Sequence, residues 1–125
     1  MRQVPFLDLG LLHQSIRVQL DNAYRRVMDS GHFVMGTELE SFETEFSLYC
    51  DVKYCVGVGS GLDALSLLLR AYDIGPGDEV LVPSNTFIAT WLAVSHCGAR
   101  PVPVEPRIET YNLNSDLIES AITPR

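Results

Sequence analysis

A chain of 125 residues that is 46% hydrophobic and 20% charged has the apolar content to bury a core, as one ordinary domain or a piece of a larger one. Its formal net charge is -7, and Arg25-Arg26 is its only adjacent basic pair, which argues against nucleic-acid binding through phosphate neutralisation. No apolar run approaches the roughly 20 residues that span a bilayer, and Met1-Arg2-Gln3-Val4-Pro5 carries no signal-peptide pattern. Cys50, Cys55 and Cys97 are odd in number and lack ligand spacing, and His13, His32 and His96 are scattered. That pattern fits reduced thiols in a cytoplasmic protein with neither a disulfide framework nor a metal cluster. Lys53 is the single lysine.

Residues 4–9 read as a short extended segment. A surface helix is expected from Leu12 to Ser30, with Ile16, Leu20, Tyr24, Val27 and Met28 at helical spacing and Gly31 as its stop. After the connector His32–Gly36, Thr37 opens a second helix, and Thr37 with Glu40 fits a capping box. Leu39, Phe42, Phe46 and Tyr49 form its expected buried stripe. Glu38, Glu40, Glu43 and Glu45 suit a solvated face near the positive end of the helix dipole, and carry no chemistry.

A turn at Asp51–Lys53 leads into an expected strand, Tyr54–Val58. The glycine turn Gly59-Ser60-Gly61 follows, and then a helix to Tyr72 that is apolar almost all round and should be buried. The loop Asp73–Asp78 precedes a strand at Glu79–Pro83. Ser84 or Asn85 is the expected cap of a helix from Thr86 to Cys97, with Gly98 as its stop and Trp91 in the core. Arg100–Glu105 reads as a third strand whose two prolines suit an edge. Asn114 or Ser115 caps a last turn reaching Ala121. This alternation predicts an α/β fold, a mostly parallel sheet with helices on both faces, incomplete at three strands.

Strand, glycine turn and helix together place backbone N–H groups and a helix N-terminus where a phosphate can sit. The orphan amides are those of Gly61, Leu62 and Asp63, and Ser60 adds a hydroxyl. The same stretch, Gly59-Ser60-Gly61-Leu62-Asp63-Ala64, satisfies the dinucleotide fingerprint. That motif wants an acid at the end of the next strand, where this chain has Val82-Pro83-Ser84-Asn85. Phe87, just after the second strand, offers a flat ring to a cofactor or to the core.

Five spaced motifs carry a wider resemblance: Gly36-Thr37-Glu38 with Phe42-Glu43; Val56–Leu65; Gly75-Pro76-Gly77-Asp78-Glu79-Val80; Pro83–Thr90; and Gly98-Ala99-Arg100-Pro101-Val102. Together they resemble the start of the DegT/DnrJ/EryC1/StrS family, pyridoxal-phosphate sugar aminotransferases of the aspartate-aminotransferase (type I) fold. Val104-Glu105-Pro106 with Thr110-Tyr111-Asn112 is similar to the subgroup acting on nucleotide-linked 3-keto-6-deoxyhexoses. The resemblance implies pyridoxal 5'-phosphate as cofactor, with Ser60, Gly61, Leu62 and Asp63 at its phosphate and Phe87 stacked on its ring. It implies residues 1–36 as an N-terminal helix and connector and 37–125 as the first part of the cofactor-binding large domain. The partners it implies are an amino-acid donor, glutamate on the family's pattern, and a nucleotide-linked keto sugar, in a full-length homodimer outside membranes and away from nucleic acid.

On the same resemblance, the Schiff-base lysine, the acid facing the pyridine nitrogen and the small domain all lie downstream. No catalytic residue is then expected in this chain, and Lys53 is a surface residue. Leu62 stands where many relatives carry threonine, and Arg107 where they usually carry an acid. Two other readings remain: a non-catalytic fragment that dimerises through its N-terminal helix and connector, and a nicotinamide dinucleotide-binding domain.

Overall fold

The computed structural model describes residues 4–125, and the chain divides into two compact units, Met1–Gly57 and Val58–Arg125. The first unit is helical. Asp8 starts α1 (Leu9–Ser15) by accepting the Gly10 N–H at 3.0 Å, so the helix begins before Leu12. The expected single helix is broken. Ile16 leaves helical geometry (φ -114°, ψ 16°), and α2 runs separately over Arg17–Ser30. The Ser15 hydroxyl donates to the Leu12 carbonyl at 2.7 Å, the local side-chain bonding that competes with helix continuation. Gly31 ends α2 at φ 67°, donating its N–H to the Met28 carbonyl at 3.3 Å.

The third helix, α3 (Thr37–Tyr49), corrects the expected capping box. Gly36 is the extended cap residue, Thr37 is already helical, and no side chain caps the end. Arg26 instead forms two bonds to the Glu38 carboxylate, at 2.7 and 2.9 Å. This pairing lifts the Arg26 guanidinium above its ordinary pKa and lowers Glu38, in each case chiefly through the hydrogen bonds. The expected buried stripe is not buried. Phe42 and Phe46 stack at 5.4 Å between centroids yet remain 52% and 44% exposed, because no described residue of this unit covers them.

Residues 54–58 are extended but form no ladder among the described residues, so the expected strand is absent as such. A strand needs a neighbour for its N–H and C=O groups. Here the Gly57 N–H donates to the Glu43 carboxylate at 2.7 Å, which gives one of the four acidic residues a structural task. A Cβ at Gly57 would collide with the Leu39 side chain.

The second unit holds the sheet. Ser60 caps α4 (Gly61–Ala71), and β1 (Glu79–Pro83) pairs in parallel with β2 (Arg100–Val104), Glu79 opposite Arg100 through Pro83 opposite Val104. Between the strands lies α5 (Ile88–His96). Arg100 N–H bonds the Asp78 carbonyl and Ser84 N–H bonds the Val104 carbonyl, both at 2.9 Å. The even-numbered residues of β2 therefore face β1, and Pro101 and Pro103 turn their donor-less nitrogens to the outer edge, as a protected edge strand does. Ser84 and Asn85 do not cap α5. The Ser84 amide prolongs the ladder, residues 84–86 form a loop, and the helix starts after Phe87 without a side-chain cap.

Val82, Ala93, Val94, Ala99 and Val104 are the buried apolar residues, with Leu69, Ile74, Val80 and Trp91 packed against this core. At Gly98 (φ 82°) a Cβ would press within 3.0 Å of the Pro76 ring, so backbone conformation and close approach both favour glycine. The Glu79 side chain is only 7% exposed and is held by Arg100 at 2.7 Å and the Thr123 hydroxyl at 2.7 Å. α4 packs on α5 but is less buried than its composition suggests: Leu67 and Leu68 remain 54% and 55% exposed. Asn114 accepts the Asp116 N–H at 3.1 Å and opens a 3-10 turn (Ser115–Leu117) leading into α6 (Ile118–Ala121).

Candidate functional site

The N-terminus of α4 is built by its own sequence. Ser60 is extended (φ -161°, ψ 166°), and its hydroxyl oxygen accepts the Asp63 N–H at 3.2 Å. The same hydroxyl donates to the Asp63 carboxylate at 2.8 Å. Ala64 N–H bonds the Ser60 carbonyl at 3.0 Å. Of the three amides expected at a phosphate, that of Asp63 is thus already bonded within the turn. Those of Gly61 and Leu62, the first two helical residues, have no protein acceptor among the described residues. Nothing lies within 4 Å of the position a Cβ at Gly61 would take, so no neighbouring group crowds that residue of the turn. Two free N–H groups at the positive end of a helix are a donor set that fits a phosphate. The Ser60 hydroxyl is engaged elsewhere.

Phe87 follows the loop of residues 84–86 that leaves the C-terminal end of β1, the end at which open α/β sheets bind their ligands. The residue is 78% exposed, and its ring stacks on no other aromatic ring among the described residues. It is not the core aromatic that its spacing alone allows. Ser60 and Asp63 are brought into mutual contact; Phe87 belongs to a separate loop. Trp91, one helical turn on, packs against the core.

Lys53 belongs to the other compact unit, is exposed, and sits 4.9 Å from the centroid of the Tyr54 ring. Arg107 has a local explanation: it bonds Asp116 at 2.7 Å, and its backbone N–H bonds the Asn112 carbonyl at 2.9 Å, closing the loop before the Asn114 cap. Two groups lay beyond sequence reasoning, the Ser60–Asp63 side-chain bond and the Glu43 anchor on Gly57. A serine followed three residues later by an acid is the signal that points to the first.

A parallel α/β sheet carrying a phosphate-type turn before one helix and an exposed ring before the next is one a phosphorylated, ring-bearing cofactor suits. The DegT/DnrJ/EryC1/StrS aminotransferase family matches residues 14–125, and the chain belongs to that family. Its relatives make the class more particular. It is 56% identical, over 98% of this chain and 32% of the relative, to the dTDP-3-amino-3,4,6-trideoxy-alpha-D-glucose transaminase of Streptomyces venezuelae. It is 52% identical, over 98% of this chain and 34% of the relative, to the dTDP-3-amino-3,6-dideoxy-alpha-D-galactopyranose transaminase of Aneurinibacillus thermoaerophilus.

Among solved structures, S. venezuelae DesV in complex with a ketimine intermediate superposes with a TM-score of 0.95 at 55% identity, covering 100% of this chain and 34% of that one. The ntda protein of Bacillus subtilis with bound cofactor pmp superposes at 0.91 and 37% identity, covering 99% of this chain and 29% of that one. The fold is therefore the N-terminal part of the type I aminotransferase large domain, as expected. The chain spans about a third of the length of the curated relatives it matches. Membership of an aminotransferase family leaves no place for the dinucleotide reading. Among the described residues no helix is long and apolar enough to cross a membrane.

Proposed function

We infer that the chain is the phosphate-holding portion of a pyridoxal-phosphate enzyme that moves an amino group from an amino acid, glutamate on the family's pattern, to a keto group of a nucleotide-linked deoxysugar. The observation that carries this is the pair of amides of Gly61 and Leu62 left without a protein acceptor at the start of α4, in a chain 56% identical to a dTDP-sugar transaminase. In the whole enzyme these amides hold the cofactor phosphate, Ser60 and Asp63 form the rim of that seat, and Phe87 lies against the cofactor ring. Residues 37–125 form the first part of the cofactor-binding domain, preceded by the helix and connector of residues 1–36, in a homodimer working in the cytoplasm. When bound, the cofactor serves as the electron sink that carries the amino group between donor and acceptor.

The same reading makes these 125 residues inactive by themselves. Lys53 is exposed, lies against Tyr54, and is given neither cofactor attachment nor proton transfer. Two measurements test this. Titration of the chain with pyridoxal phosphate, followed by Trp91 fluorescence, is expected to saturate, while NAD leaves the signal unchanged. Borohydride added with the cofactor is expected to leave Lys53 unmodified in a peptide map. A reduced adduct on Lys53, with turnover on a keto sugar, would overturn the reading. Dimers with no cofactor affinity would favour a non-catalytic interaction fragment.

A further inference from the structure

The rim of the phosphate seat contains a charge of the wrong sign. Asp63 stands in the first turn of α4, beside the two amides that are to receive an anion. Its carboxylate is 2.8 Å from the Ser60 hydroxyl and would lie 3.0 Å from a Cβ at Gly59, so it folds back over the turn. While that bond stands, the Ser60 proton points at Asp63 and cannot be donated to a phosphate. The Asp63 amide is likewise spent on Ser60.

We propose that Asp63 is a positioning residue that sets the strength of the phosphate seat rather than a phosphate ligand. It sequesters the Ser60 hydroxyl, confines anion binding to the Gly61 and Leu62 amides, and holds phosphate affinity down through like charge. A full negative charge within one helical turn of a bound phosphate opposes it, and a screened interaction at such range changes affinity by about three- to tenfold. The helix itself gains from the same charge, because an acid in the first turn favours the positive end of the dipole. Asp63 thus stabilises α4 at the expense of the anion. A seat restrained in this way releases free phosphate readily and keeps cofactors that supply a second contact, such as a ring against Phe87. The inference rests on the seat proposed above.

The test titrates the 125-residue chain with inorganic phosphate at low salt, reading the backbone amide resonances of Gly61 and Leu62. Asp63→Asn keeps an oxygen to accept from Ser60 and removes the charge. It is expected to tighten phosphate binding about three- to tenfold, with the gain shrinking as salt rises. Asp63→Ala also frees the hydroxyl, so Ser60→Ala should cost more affinity in that background than in the native one. Equal or weaker binding by Asp63→Asn, with Gly61 and Leu62 still responding to phosphate, would overturn the role of Asp63 and leave the seat standing. No response of either amide in any variant would overturn the seat itself.

Discussion

The two compact units use similar apolar content to different ends. In Val58–Arg125 a parallel strand pair and its helices bury Val82, Ala93, Val94, Ala99 and Val104. In Met1–Gly57 no described residue is buried, and Val34 and Met35 stand 81% and 83% exposed. The difference lies in what each segment can close by itself. A βαβ crossover supplies its own neighbours, since the helix it contains packs on the strands it joins. Three helices broken at Ile16 and Gly31 present apolar stripes and enclose none of them. Hydrophobic residues stabilise only where water is removed from them.

That contrast is open to attack at several points. Val82→Ala removes two buried carbons from the core of the second unit and is expected to cost about 2–3 kcal/mol in denaturant unfolding. Val34→Ala, the same truncation at an exposed site, should stay within about 0.5 kcal/mol. Equal losses would break the contrast. Gly98→Ala is expected to cost about 1–2 kcal/mol, because an L-residue resists φ 82° and the Pro76 ring must give way. Hydrogen exchange sharpens the picture further: the amides of β1 and β2 should be the last to exchange, and those of α1 among the first.

Ser60→Ala removes the cap of α4 and should cost about 1 kcal/mol, visible as a lowered melting temperature. The smallest effect belongs to Arg26 and Glu38, both largely in water. Glu38 has its pKa lowered on folding, so the stability it contributes is present above the usual carboxylate range and is lost as pH falls through its depressed value. Glu38→Gln should therefore flatten the acid limb of the stability profile slightly and leave neutral pH nearly unchanged.

Local chemistry was legible wherever it depends on near neighbours in the chain. Gly31 stops a helix, Asn114 starts one, and the glycine turn before Leu62 opens α4, because each needs only the residues beside it. The capping box at Thr37 misled because an extended glycine one residue earlier is an equally good helix start. Ile16 misled for a related reason: its spacing fits a helical stripe, while its backbone marks the break between two helices. At the candidate site, the glycine turn before α4 and the aromatic ring beyond β1 could be named in advance as features of the chain. Which of their donors are free could not, since that depends on where the Ser60 proton points.

The α/β class, the two paired strands, the glycine turn and the family follow from the order of residues alone, because period, cap and spacing are properties of the chain. Tertiary structure decided that residues 54–58 find no strand partner among the described residues, that the aromatic stripe of α3 stays largely in water, and that Glu79 is enclosed by Arg100 and Thr123. It also decided that the glycine turn leaves two amides, those of Gly61 and Leu62, without a protein acceptor among the described residues. Each of these depends on a partner's position in space, and a ladder, a burial or a hydrogen bond exists only when that partner arrives.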